Sequence, residues 1–88
     1  MKIRRSHQLG IEEARSRASE IAEHLDRQFS LTSRWRGDRL LVRGNGVHGQ
    51  LEVAEESIEI EVRLGFALKL MEGPIRAAIE ATMDEHLT

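Results

Sequence analysis

The sequence predicts an α+β fold in which two helices cover one face of an antiparallel sheet. Three observations point to this fold class: an amphipathic helical pattern early in the chain, turn residues that separate short apolar runs in the middle, and a second helical pattern near the end. The predicted order is one strand, one helix, a four-stranded meander and a helix. Two helices in this order can pack against the same apolar sheet face, which gives two layers around one core.

Length and composition indicate one small domain over residues 1–88, with a modest core. Apolar residues make up 40% of the chain and aromatic residues 3%, so aliphatic side chains must fill that core. No cysteine is present, which excludes a disulfide framework, a thiol nucleophile and a cysteine zinc site. No apolar run is long enough to span a membrane and no signal peptide pattern follows the basic start, so we expect a cytoplasmic protein.

A short first strand is predicted at residues 2–6, where Ile3 has polar neighbours on both sides. A helix over about 11–28 follows, because apolar residues recur there at spacings of three and four. These residues are Ile11, Ala14, Ala18, Ile21, Ala22, Leu25 and Phe29. Glu12 and Glu13 lie in its first turn, where the helix dipole favours negative charge.

Two turn signals, Gly37-Asp38 and Asn45-Gly46, divide the middle of the chain into strands. The apolar runs that they separate are residues 32–36, 39–43 and 47–53. Asn-Gly favours a type I′ hairpin turn, in which both central residues have positive φ. Gly37 tolerates positive φ, and Asp38 does so better than most residues. We therefore predict an antiparallel meander, with positive φ at both glycines.

The later strands alternate apolar and polar side chains, so we predict that one face of the sheet is covered and the other is solvated. Those strands are residues 47–53 and 58–64. Lys2 and Arg4 of the first strand would lie opposite Glu59 and Glu61 of the last one. Opposite charges favour such cross-strand pairing, so the predicted strand order is 1-5-4-3-2.

The last strand ends at Gly65, and the rest of the chain has helical character. Residues 66–72 read as helical, Gly73 and Pro74 interrupt the pattern, and Pro74 is expected to open a second helical segment. That segment has the apolar stripe Ile75, Ala78, Ile79, Thr82, Met83 and Leu87. The sequence leaves open whether the two pieces form one kinked helix or two.

The start of this region is more apolar than a one-face helix requires. By helical spacing, Phe66 and Leu70 point away from Leu68 and Met71. Such a surplus serves the core or a subunit contact, or it meets an apolar ligand, a partner or a lipid-like surface. We define these four residues as the candidate contact surface, and we predict that it supports self-association or docking onto an apolar surface.

Residues for catalysis are not apparent. No two of His7, His24, His48 and His86 have metal-ligand spacing, and we expect all four to be solvated or structural. The chain contains neither a nucleophile elbow nor a phosphate-binding loop. We therefore expect no catalytic, cofactor-binding or metal-binding residue, and a protein that is not an enzyme.

The charge is uneven along the chain: residues 1–43 have ten Lys/Arg against six Asp/Glu, and residues 44–88 have three against nine. Trp35 lies among Arg34, Arg36 and Arg39. Surfaces that stack bases combine several aromatic residues with basic ones, and a single tryptophan meets this requirement poorly. We expect Trp35 to pack at the hairpin corner under the first helix. We therefore do not expect nucleic acid as a partner.

Several short motifs, in this order and spacing, resemble the polyhydroxyalkanoic acid system protein family, a family of small bacterial proteins of about this size. The motifs are Ile3, Arg5, His7 and Leu9 at alternate positions, Trp35-x-Gly37-Asp38, Gly46-Val47-x-Gly49, and Leu64-Gly65. The resemblance covers nearly the whole chain. It implies a link to polyhydroxyalkanoate biosynthesis and granule surfaces, and the family offers no catalytic residue to transfer. The element order is also similar to a trimmed helix-grip domain of the Bet v 1/START-like kind, which at full size closes over an apolar cavity.

The expected function is that of a non-enzymatic accessory protein of polyhydroxyalkanoate metabolism, which binds at granules or to a granule-associated partner. A homo-oligomer is a further expectation for the candidate contact surface. One alternative is a small helix-grip-like binder of an apolar ligand, which would need an unfilled space between the sheet and the C-terminal helix. Another is a nucleic-acid-binding module that uses the Arg-rich first hairpin.

Overall fold

The computed structural model describes residues 1–87, which form five strands, two α-helices and a short 3₁₀ helix. In chain order the elements are β1 (Lys2–Ser6), α1 (Gly10–Phe29), β2 (Thr32–Arg36), β3 (Arg39–Gly44), β4 (Val47–Val53), β5 (Ser57–Leu64), the 3₁₀ segment (Phe66–Met71) and α2 (Glu72–Leu87). Every predicted strand is present, and the first helix extends one residue beyond its predicted range at each end. The fold is therefore α+β, as the sequence predicts.

The strands form one antiparallel sheet in the order β1-β5-β4-β3-β2, which confirms the predicted topology. Lys2 pairs with Glu61 and Arg4 with Glu59, as the charge pattern predicts. Each pair of opposite charges across two strands stabilises the pairing by about 0.2–1 kcal/mol. A one-residue shift would place these charges against apolar residues, so they specify the register.

The core lies between the two helices and one face of the sheet. α1 contributes five buried apolar residues, the strands seven and α2 three. They are Ile3, Ala14, Ala18, Ile21, Ala22, Leu25, Leu40, Leu51, Val53, Ile58, Ile60, Val62, Ile75, Ile79 and Met83. The strand members alternate with charged or polar residues on the other face, so the fold has two layers and one open sheet face.

The turn between β2 and β3 requires glycine at its first central position. Gly37 has a φ of +62°, which confirms the predicted left-handed backbone. Positive φ at the first central residue alone is the pattern of a type II′ turn, whose twist matches that of paired strands. Asp38, the second central residue, therefore does not use the left-handed conformation that the sequence suggested it could tolerate.

The turn between β3 and β4 differs from the expected type I′ geometry. Gly46 has a φ of +75°, as predicted, but within residues 1–87 the one non-glycine residue with positive φ is Ser30. Asn45 is therefore not left-handed, and the φ pattern is that of a type II turn. A contact outside the hairpin accompanies this geometry, because the Gly46 carbonyl accepts a hydrogen bond from the Gly65 N–H at 2.7 Å.

The C-terminal region consists of two contiguous helical pieces of different type. The 3₁₀ segment passes directly into α2 at Glu72, so Gly73 and Pro74 do not interrupt the helix. The expectation that Pro74 opens a helical segment is therefore wrong, since Pro74 is the third residue of α2. Pro74 nevertheless lies in the first turn of α2, where the fixed φ of proline is compatible with a helix.

α2 is attached to the edge strand β1 through Arg5. The Arg5 guanidinium donates to Asp84 Oδ1 at 2.7 Å and to Glu80 Oε2 at 3.1 Å. Hydrogen bonds first from Asp84 and then from Glu80 raise the pKa of Arg5 above its usual value. Close to this attachment, at its C-terminal end, α2 also contacts α1, where Arg17 donates to the His86 carbonyl at 2.6 Å.

Candidate functional site

The candidate contact surface contains the most exposed large apolar side chains of residues 1–87. Phe66 is 93% exposed, Leu70 95% and Met71 52%. Leu68 differs from the prediction, because it is half-buried and lies on the inner side of the 3₁₀ segment, so the exposed part of the candidate contact surface is Phe66, Leu70 and Met71. Phe66 and Leu70 are therefore not core residues, and the fold leaves them free to meet another surface.

The 3₁₀ segment is held against the β3–β4 turn by a small set of contacts. The Gly65 N–H donates to the Gly46 carbonyl at 2.7 Å, and the Leu68 N–H donates to the Gly65 carbonyl at 3.0 Å. A methyl group added at Gly46 would lie 3.1 Å from Leu68 Cδ1. Leu68 is thus the anchor of the segment, and none of the segment's residues is fully buried.

An apolar cavity of about 230 Å³ lies behind the 3₁₀ segment, between the sheet, α2 and the C-terminal end of α1. Leu68 and Met71 form its wall on the segment side, Val62 its wall on the sheet side, and Ile75 and Ile79 its wall on α2. This is the unfilled space that the helix-grip-like alternative requires. Sequence reasoning left its existence open, because the volume depends on how side chains fill the space between the layers.

Trp35 packs beneath α1, as the sequence predicts. Its Nε1 donates to Ser19 Oγ at 3.1 Å, and the Arg15 guanidinium lies 4.0 Å from the centre of the indole ring. Because residues alternate along β2, Arg34 and Arg36 are on the opposite, open face. The tryptophan and these two arginines therefore do not form a common surface on which bases could stack.

Arg15 explains why Trp35, Gly37 and Asp38 occur together. It donates to the Gly37 carbonyl at 2.8 Å and to Asp38 Oδ1 at 3.0 Å while covering the indole ring of Trp35. One side chain of α1 thus fixes the turn between β2 and β3. Sequence analysis missed this role, because a single arginine on an amphipathic helix has no local signal that indicates its partner.

The open face has a broad depression of about 790 Å³ at the β2–β3 edge. Arg34, Arg43 and His48 line it. These side chains give the edge positive charge, which suits an anion. Phe29 is an aromatic residue at the rim of this depression, and the only tryptophan of the chain lies on the covered face, so the depression lacks the succession of aromatic side chains on which single-stranded nucleic acids stack.

The histidines occupy structural or solvated positions, as expected. His7 is buried: its Nδ1 accepts from the Leu9 N–H at 3.2 Å, so its Nε2 donates to the Ala54 carbonyl at 3.1 Å. The His86 ring lies edge-on to that of His24 at 6.0 Å, and His48 is exposed. Within residues 1–87 no three His, Cys, Asp or Glu side chains are arranged to hold a metal ion.

Two glycines of the predicted motifs allow another part of the backbone to approach closely. A methyl group at Gly49 would lie 2.7 Å from the Glu61 carbonyl oxygen of the neighbouring strand. At Gly65 it would lie 3.4 Å from Gly46 Cα. Neither position requires positive φ. Gly49 therefore permits tight packing between β4 and β5, and Gly65 permits contact with the β3–β4 turn.

The fold and this site define a small α+β domain that presents an exposed apolar surface in front of an apolar cavity. The chain belongs to the family described as "Putative polyhydroxyalkanoic acid system protein", whose model matches residues 1–87. No curated protein and no solved structure matches the chain, so the helix-grip resemblance has no support from a structural neighbour. Neither α-helix in the described part combines the length and the apolar character needed to cross a membrane.

Proposed function

We propose that this chain is a non-enzymatic accessory protein of the polyhydroxyalkanoate system that binds the granule surface through the candidate contact surface. Family membership supplies the link to this system. The exposure of Phe66 and Leu70, at 93% and 95%, is the observation that supports a docking role. A polyhydroxyalkanoate is a polyester with aliphatic side groups, and apolar side chains adsorb to such a surface by leaving water.

The size of the apolar contribution indicates reversible docking. Full burial of a Phe or Leu side chain is worth about 1.5–3 kcal/mol, so both side chains together supply about 3–6 kcal/mol. Association and side-chain ordering offset part of this gain. A single copy should therefore bind a granule weakly, and a coated granule would carry many copies in exchange with solution.

A double substitution, Phe66→Ser with Leu70→Ser, tests the proposal. We expect at least a tenfold loss of granule binding, because about 1.4 kcal/mol corresponds to one factor of ten. Fold integrity should be unchanged, since both side chains lie outside the core. Sedimentation of the protein with purified granules, followed by quantification of bound and free protein, measures the effect.

Leu41→Ser is the matched control, because Leu41 is a partly exposed leucine on the open sheet face, remote in the chain from the 3₁₀ segment. It should bind granules like wild type. Protein-free polymer particles separate the polymer surface from a granule protein as the target. Equal binding of the double variant and wild type would contradict the proposal, and binding to native granules alone would redirect it to a protein partner.

A further inference from the structure

We propose that the 230 Å³ cavity is a binding site for a single short alkyl chain that ends in an uncharged ester, as in a hydroxyalkanoate ester unit. The choice of hydroxyalkanoate rests on the proposed function. The alkyl chain and the neutral end group follow from the cavity itself.

The size of the cavity selects a short chain. An apolar protein cavity of about 150 Å³ holds one benzene molecule, so roughly eight to ten non-hydrogen atoms fit here. Sites for drug-sized ligands begin at about 300 Å³. The cavity therefore accommodates one hydroxyalkanoate unit and excludes a folded polymer segment or a long fatty acid.

The chemistry of the walls selects an uncharged ligand. Aliphatic side chains such as Val62, Ile75 and Ile79 dominate, and no Lys, Arg, Asp or Glu among residues 1–87 lines the cavity. Asn45, in the β3–β4 turn, is a lining residue with a side-chain amide, whereas Gln50 alternates with the buried Leu51 along β4 and directs its side chain to the open face. A carboxylate would lose its hydration here without gaining a cation, whereas an ester or hydroxyl needs only hydrogen bonds that amides can supply.

The 3₁₀ segment connects this cavity to the candidate contact surface. Leu68 and Met71 line the cavity, while Phe66 and Leu70 are exposed on the outside. The segment has no fully buried residue, and its hydrogen bond to the β3–β4 turn is made by Gly65, just before it. Lifting this short cover exposes the cavity to the surface that meets the granule. The same segment thus serves docking on one side and ligand capture on the other.

A titration with two matched probes tests the site. We expect methyl 3-hydroxyhexanoate to shift backbone amide resonances around the cavity in a saturable way. The 3-hydroxyhexanoate anion, which lacks only the methyl group and carries a charge, should bind at least tenfold more weakly. The absence of saturable binding of the ester, or equal affinity for ester and anion, would overturn the proposal.

A cavity-filling substitution locates the binding. Val62→Phe places a ring in the cavity and should weaken ester binding at least tenfold, and Ile79→Phe does the same from α2. Val53→Phe is the matched control: Val53 is buried in the sheet but does not line the cavity, so a folded variant retains binding. Unchanged ester affinity in a folded Val62→Phe or Ile79→Phe protein would also overturn the site.

The two proposals fail separately. Wild-type protein that binds granules but not the ester would overturn the cavity site and leave granule docking intact. Wild-type protein that binds the ester but not granules would support the cavity site and contradict the proposed function.

Discussion

At the scale of single residues, glycine serves two different needs in this fold. Gly37 and Gly46 have positive φ, which the turn pattern of the sequence predicts. Gly49 instead leaves room for the Glu61 carbonyl of the adjacent strand. The sequence alone does not separate these needs, because a close approach between two backbones depends on the strand register as well as on the residue.

Valine substitutions at the two turn glycines should differ in cost. Gly37→Val and Gly46→Val should each lower the free energy of unfolding by more than about 1 kcal/mol, because a side chain disfavours the left-handed backbone. A Cβ atom added at Gly37 would meet nothing within 4 Å, whereas one added at Gly46 would lie 3.1 Å from Leu68 Cδ1. We therefore expect the larger loss at Gly46. Chemical denaturation measures the free energy of unfolding of both variants. Equal losses would show that the contact with Leu68 does not contribute to the cost at Gly46.

At the scale of elements, periodicity predicts the strands and α1 but not the 3₁₀ segment. Alternation and the three-and-four spacing report which faces are buried, and these patterns hold from β1 to β5. The 3₁₀ segment is short and has no fully buried face, so its helix type leaves no such pattern. The predicted break at Pro74 is wrong. The 3₁₀ segment passes directly into α2 at Glu72, so Pro74 lies inside the first turn of that helix.

The attachment of α2 to β1 should depend on Arg5. Arg5→Ala removes hydrogen bonds to both Glu80 and Asp84, and we expect a loss of about 0.5–1.5 kcal/mol in the free energy of unfolding. Arg27→Ala is the control, because Arg27 forms a single exposed pair with Glu23 within α1. Its effect should stay below about 0.5 kcal/mol. Thermal unfolding of both variants provides the comparison, and similar losses would contradict a special role for Arg5.

At the scale of the whole molecule, the two-layer architecture and the strand order follow from sequence, but the cavity does not. The opposite charges on β1 and β5 correctly predict that the first strand pairs with the last one, at that edge of the sheet. The cavity arises where α2 and the 3₁₀ segment meet the sheet, and its volume reflects the fit of side chains from several elements. The periodicity of a single element does not indicate how closely side chains from different elements pack.

Without ligand, the cavity should reduce stability, since its walls lose contacts that a filled core would have. Val62→Leu adds one methylene into free space and should raise the free energy of unfolding by about 0.5–1 kcal/mol. Val53→Leu adds the same group at a buried position that does not line the cavity, and it should lower the free energy of unfolding by about 1–3 kcal/mol. Calorimetry of the two variants tests this contrast, and destabilisation by both would show that the cavity walls are already close-packed.

The strand order leaves β2 as a free sheet edge, with hydrogen-bonding groups available to another chain. Arg34 and Arg36 project from this strand, and Arg39 and Arg43 lie on its neighbour. Two copies that met along β2 would bring these positive charges together, and their repulsion opposes strand-to-strand growth into fibrils. This charge arrangement therefore opposes edge-to-edge aggregation even where the local concentration of the protein is high.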